Sequence, residues 1–70
     1  MTVEKHLKVS GTSTVSWKDA IIQTVNEASK TIDYLTNVKV LEQTAKIDGK
    51  KIAEYYVVLD LSFVVDRDRD

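Results

Sequence analysis

The stretch from Lys51 to Val65, KIAEYYVVLDLSFVV, reads as one extended strand with apolar residues on both of its faces. Successive side chains of a strand point to opposite sides, so Ala53, Tyr55, Val57, Leu59, Leu61, Phe63 and Val65 make one unbroken apolar face. On the other face Ile52, Tyr56, Val58 and Val64 interrupt the polar set Glu54, Asp60 and Ser62. At roughly 3.4 Å per residue the segment reaches about 50 Å, longer than most strands in globular proteins. A chain of 70 residues cannot cover both faces of such a strand from its own resources. The pattern therefore points first to an assembling subunit.

Size sharpens the point, because a domain this small buries only about 60 % of the surface its unfolded chain exposes and needs added support. Disulfides, a structural metal and oligomerisation are the usual supports. The chain has no cysteine and one histidine, which excludes disulfides, thiolate zinc or iron–sulfur sites, and an imidazole cluster within one chain. Oligomerisation remains. A net charge of −1 and a pI near 5.7 provide no basic field, so neither nucleic acid nor an anionic membrane is an expected partner. With no basic leader, no apolar run near membrane-spanning length and no Asn-x-Ser/Thr sequon, the expectation is a cytoplasmic protein.

The length allows one domain, residues 1–65, followed by a charged tail, residues 66–70, Asp66-Arg67-Asp68-Arg69-Asp70. Val3 to Ser10 alternates imperfectly and reads as a first strand, broken by Gly11-Thr12-Ser13. Ser16 followed by Asp19 three residues on is a variant capping box, so a helix is expected from Trp17. Its apolar stripe Trp17, Ala20, Ile21, Val25, Ala28, Ile32 and Leu35 predicts one long helix of about 28 Å over one face of the sheet. A second strand is expected from about Asn37 to Ile47, and Asp48-Gly49 marks a tight hairpin into the long strand. With a two-residue loop at Asp48-Gly49, Val38 and Val40 join Val57, Leu59, Leu61 and Phe63 under the helix. Leu41, Gln43, Ala45 and Ile47 then fall on the opposite side with Tyr56, Val58 and Asp60. The expected architecture is α+β, a β-α-β-β subunit with a three-stranded antiparallel sheet on one helix.

Sites of chemistry are sparse. His6 lies on the polar side of the first strand with no second histidine and no Gly-x-Ser-x-Gly elbow, so a surface or interface histidine is the favoured reading. Ser10-Gly11-Thr12-Ser13 lacks the second glycine and the lysine of a phosphate-binding loop and reads as a strand-to-helix turn. Trp17, in register with the apolar stripe, reads as a core residue. Tyr56 projects away from the helix, where it either seals an interface or stacks on something bound. Lys39 and Asp60 share that face and are expected to form an inter-strand ion pair.

The order strand, Gly11-Thr12-Ser13, helix, strand, turn, long strand resembles the dodecins over Val3 to Val65. Ala28, Thr31, Glu42-Gln43, Tyr55 and Phe63 match at the same spacings. The resemblance implies a non-enzymatic, hollow homododecamer that binds flavins such as riboflavin and FMN, as a storage or buffering protein. It also implies a flavin pocket resting on a tryptophan just after the helix and a glutamine in the last strand. Those two positions fall on Asn37 and Tyr56, both substituted, so flavin binding is expected to be weak or absent. Gly11-Thr12-Ser13 with Ser16-Trp17, and Val40-Leu41-Glu42-Gln43, look closer to flavin-poor members, some described as calcium dodecins. A calcium-binding or purely structural shell is therefore the alternative, with no calcium ligand assigned.

Overall fold

The computed structural model describes residues 2–66. Strand β1 (Thr2–Ser13) is followed by helix α1 (Trp17–Ala28) and the strands β2 (Leu35–Asp48) and β3 (Lys51–Asp66). The three strands form an antiparallel sheet in the order β1-β3-β2, so the strand with two apolar faces is the central one. Asp66 belongs to β3, one residue beyond the expected end, and the expectation for the tail at 67–70 falls outside the described residues.

Helix α1 starts where the sequence indicates. Ser16 has extended backbone and its hydroxyl accepts the Asp19 amide at 2.9 Å. Ser13 completes the entry: its Oγ accepts the Val15 amide at 2.9 Å and donates to Asp19 Oδ2 at 2.6 Å, while Gln23 Nε2 donates to the same oxygen at 2.6 Å. The side chain of Asp19 thus holds the end of β1 to the first turn of the helix instead of closing the expected capping box.

The single long helix expected to Leu35 is corrected to three turns. It stops at Ala28, about 18 Å from its start, because the segment that follows is rich in serine, threonine and β-branched side chains. The Ser29 hydroxyl donates to the Asn26 carbonyl at 2.7 Å, and the amides of Lys30 and Thr31 bond to carbonyls three residues back. The chain then turns at Tyr34, whose φ of 62° is costly for a bulky L-residue, and the Tyr34 carbonyl accepts the Val64 amide at 3.2 Å. Leu35 still packs on the core, but as the first residue of β2.

Gly11-Thr12-Ser13 is likewise corrected, from a break to the last residues of β1, paired with Val57, Tyr56 and Tyr55. Gly11 marks a close approach of the helix: a methyl there would overlap Thr24 Oγ1 and lie 3.1 Å from Thr24 Cβ. The hairpin loop is two residues long as expected, but it is Gly49-Lys50, with Asp48 paired to Lys51 and the positive φ on Gly49.

The core lies between α1 and the odd-numbered residues of β3. Ala20, Val57, Leu59 and Leu61 are fully buried, and Val9, Trp17, Ile21, Val25, Ala28 and Leu35 pack around them. Helix α1 rests mainly on β1 and β3. The molecule is 56 Å long, so a helix of about 18 Å leaves both ends of the sheet uncovered on this face as well.

Candidate functional site: the open face of the sheet

The face turned away from the helix carries Glu54, Tyr56, Val58, Asp60, Ser62 and Val64 of β3. Register sets Glu4, His6, Lys8, Ser10 and Thr12 of β1 on one side of this row. On the other side stand Asn37, Lys39, Glu42, Thr44 and Lys46 of β2. Around Lys39 and Val40 the pairing is as the sequence implies, with Val40 opposite Leu59 and Lys39 opposite Asp60. A register shift between Val40 and Glu42 then corrects the expectation for Leu41, Gln43 and Ala45, whereas a second shift between Lys46 and Ile47 sets Ile47 opposite Ile52 on the open side, as expected. Leu41 is the extra residue, and Gln43 and Ala45 move to the helix side opposite Val57 and Tyr55.

The polar centre of the open face is His6. Its Nδ1 lies 2.8 Å from Asp60 Oδ2 and 3.2 Å from Ser62 Oγ, and its Nε2 lies 2.9 Å from Glu4 Oε1. The expected Lys39–Asp60 ion pair is thereby revised: the two are register partners, but the carboxylate is bonded to His6. Hydrogen bonding to Asp60, then the charges of Asp60 and Glu4, raise the imidazole above its ordinary 6.5 against the opposing effect of desolvation. Serine, histidine and aspartate meet here without making a hydrolytic triad. A triad needs a serine alone on one ring nitrogen with a carboxylate on the other; here Glu4 meets Nε2, but Ser62 shares Nδ1 with the closer Asp60 carboxylate. Ser62 is also buried, only 4 % exposed.

Tyr56 stands on this face between Thr12 and Thr44, half exposed, over a hollow lined by Lys8, Ser10, Glu42 and Val58. Asn37 is opposite Ser62 and lines a different groove, between α1 and β2, with Val25, Leu35, Val38 and Leu61. Tyr56 and the Asn37 partner Ser62 are six residue steps apart on β3, about 20 Å at strand spacing, so one protomer does not bring Asn37 and Tyr56 to one flat ring. A pocket using both needs more than one copy. Trp17 takes the structural role: its ring meets Tyr55 edge-on with centroids 4.8 Å apart, and its Nε1 donates to the Thr44 carbonyl at 2.8 Å.

Among the described residues, no group of three or more His, Cys, Asp or Glu is placed to hold a metal ion within one chain. No helix among them is long and apolar enough to cross a membrane. The cluster of Glu4, His6, Asp60 and Ser62 was not anticipated as a unit. Its signal was the shared even-numbered parity of Glu4, His6, Asp60 and Ser62, which becomes readable only once β3 is known to lie beside β1.

Comparison with known proteins agrees with this geometry. The profile of the family described as Dodecin matches residues 3–66. Calcium dodecin of Mycobacterium tuberculosis is 32 % identical over 63 residues, spanning 90 % of this chain and 89 % of its own. A solved arginine-to-alanine variant of T. thermophilus dodecin superposes with a TM-score of 0.89 at 30 % identity, covering 96 % of this chain and 100 % of its own. Dodecin from Streptomyces davaonensis gives a TM-score of 0.87 at 26 % identity, over 94 % and 97 %. The M. tuberculosis calcium dodecin structure, described as calcium chelating with a novel calcium-binding site, gives 0.79 at 28 % identity, over 97 % of each chain.

Proposed function

The chain belongs to the dodecin family, and from that premise we propose that it is a non-enzymatic cytoplasmic subunit of a homododecameric shell that binds and stores a small ligand, with flavin held weakly or not at all. The observation that carries the reading is the partly covered central strand. Helix α1 shields the middle of one face of β3, while Ile52 and Tyr56 on β3 and Val38, Val40, Leu41 and Ile47 on β2 are left with a third or more of their surface exposed. Apolar surface of this extent marks an interaction site. Like copies are the partner the family supplies.

Weak flavin binding follows from the two substituted positions. Without an indole at position 37, a flat ring loses a stacking surface generally worth about 1–3 kcal/mol, roughly one to two orders of magnitude in affinity. Tyr56 offers a ring but lacks the paired carbonyl and amide with which a glutamine meets a flavin edge. The residues present therefore do not fit a flavin site of the family kind. Exchanging both positions, Asn37→Trp with Tyr56→Gln, is expected to raise riboflavin affinity by about one to two orders of magnitude, read as quenching of riboflavin fluorescence in a titration. Unchanged fluorescence with the folded double variant would show that the pocket lies elsewhere.

A second reading, calcium binding, is favoured by the relative at 32 % identity whose name carries it. Among the described residues no three His, Cys, Asp or Glu are placed to hold a metal ion within one chain, and in this second reading calcium is shared by oxygens of several copies around a symmetry axis. A melting temperature raised by calcium and not by magnesium supports this second reading. Visible absorbance of protein from its native host, with strong riboflavin quenching, supports flavin storage instead.

A further inference from the structure

His6 is the only histidine of the chain, and its ring adds a proton-dependent side-chain bridge between two strands that the backbone already pairs. Strand β1 is an edge strand, joined to the sheet through β3 alone. On its open side, His6 reaches across to Asp60 of β3 at 2.8 Å and along its own strand to Glu4 at 2.9 Å. We infer that His6 is a proton-operated clasp between β1 and β3: the imidazolium donates to Asp60 and Glu4 at once, and the neutral ring, with one N–H, donates to only one of them. This inference rests on contacts within one chain, and does not depend on the ligand the protein binds.

The surrounding charges set the direction. Strand β1 contributes Glu4 and Lys8, and β3 contributes Asp60 beside the Ser62 hydroxyl. Strand β2 contributes Lys39, opposite Asp60. Helix α1 lies on the other side of the sheet. The two carboxylates are in direct contact with the ring, whereas the ammonium groups stand beside Asp60, so the net local field favours the imidazolium. A folded-state value above the unfolded one means the clasp contributes its full stabilisation below about pH 6.5 and loses it as pH rises through the folded value. The open face also gains negative charge over the same interval.

The test uses the full chain, following the C2 proton of its one imidazole by NMR against pH, with denaturation midpoints in parallel. The titration midpoint is expected above 6.5, to fall in Asp60→Asn and, by less, in Glu4→Gln. Glu4 is the more exposed partner and its variant keeps the test open if Asp60→Asn does not fold. Wild-type stability is expected to drop between about pH 6 and 8.5, and His6→Asn is expected to lose that part of the drop. A wild-type midpoint at or below 6.5, or one unmoved by both variants, overturns the clasp. So does an identical pH dependence of stability in wild type and His6→Asn.

Discussion

Replacing Leu59 with alanine is expected to remove about 2–5 kcal/mol of folding stability, the range for truncating a buried leucine. Leu59 is fully buried at the centre of the sheet, opposite Val9 of β1 and Val40 of β2. It packs in the same cluster as Ala20 of the helix. A cavity there has rigid walls on every side, since strands flank it and the helix closes it, so collapse around the missing atoms is limited. A domain of this length has roughly 3.5–10 kcal/mol in total at typical per-residue stability, and the loss is a large fraction of it. Because association adds stability that depends on protomer concentration, wild type and variant are compared by chemical denaturation at equal concentration. A loss below about 1 kcal/mol would place the core elsewhere.

Gly11→Ala is expected to destabilise by about 1–3 kcal/mol through overpacking. The added methyl meets Thr24, which cannot simply swing away: it is β-branched, and its hydroxyl donates to the Ala20 carbonyl at 2.7 Å. Either the rotamer changes and the hydrogen bond is lost, or α1 lifts from β1. Both outcomes loosen the packing around Ala20. Thr24→Ala in the same background removes the obstacle and is expected to restore most of the loss. If the double variant is no more stable than Gly11→Ala alone, the close approach is not the reason for glycine at this position.

Much of this fold was legible because local chemistry and global arrangement agree over most of the chain. Ser16 caps the helix, the stripe from Trp17 to Ala28 faces the core, and the alternation in β3 assigns Val57, Leu59 and Leu61 to the buried side. The misreadings have two physical causes. Gly11 and Leu41 have roles set by a partner distant in sequence, whereas the early end of the helix is set by local hydroxyls and one turn. Gly11 looks like a turn residue in isolation, yet it is glycine because Thr24 comes down on it from the helix. Ile32 and Leu35 continue the helical spacing, but the hydroxyls of Ser29 and Thr31 compete for the last carbonyls and Tyr34 turns the chain. Leu41 as the extra residue of a register shift leaves no mark in a period-two pattern read without its partner strand.

The site was legible in part. The open face was anticipated as a mixed surface, and Tyr56 and Asp60 stand on it. Pairing of Asp60 with His6 required knowing that β1 lies beside β3, which alternation within either strand does not reveal. Asn37 and Tyr56 were placed on the sequence by resemblance, and their separation along β3 shifts attention from the lone chain to the contacts between copies.

That shift rests on one physical requirement, that β3 finds cover for apolar surface its own helix does not reach. Light scattering behind a sizing column, at micromolar protein and near-neutral pH, measures the outcome directly. A single species close to twelve times the 7.9 kDa of one chain is the predicted result, and a cooperatively folded particle of one chain's mass would contradict it.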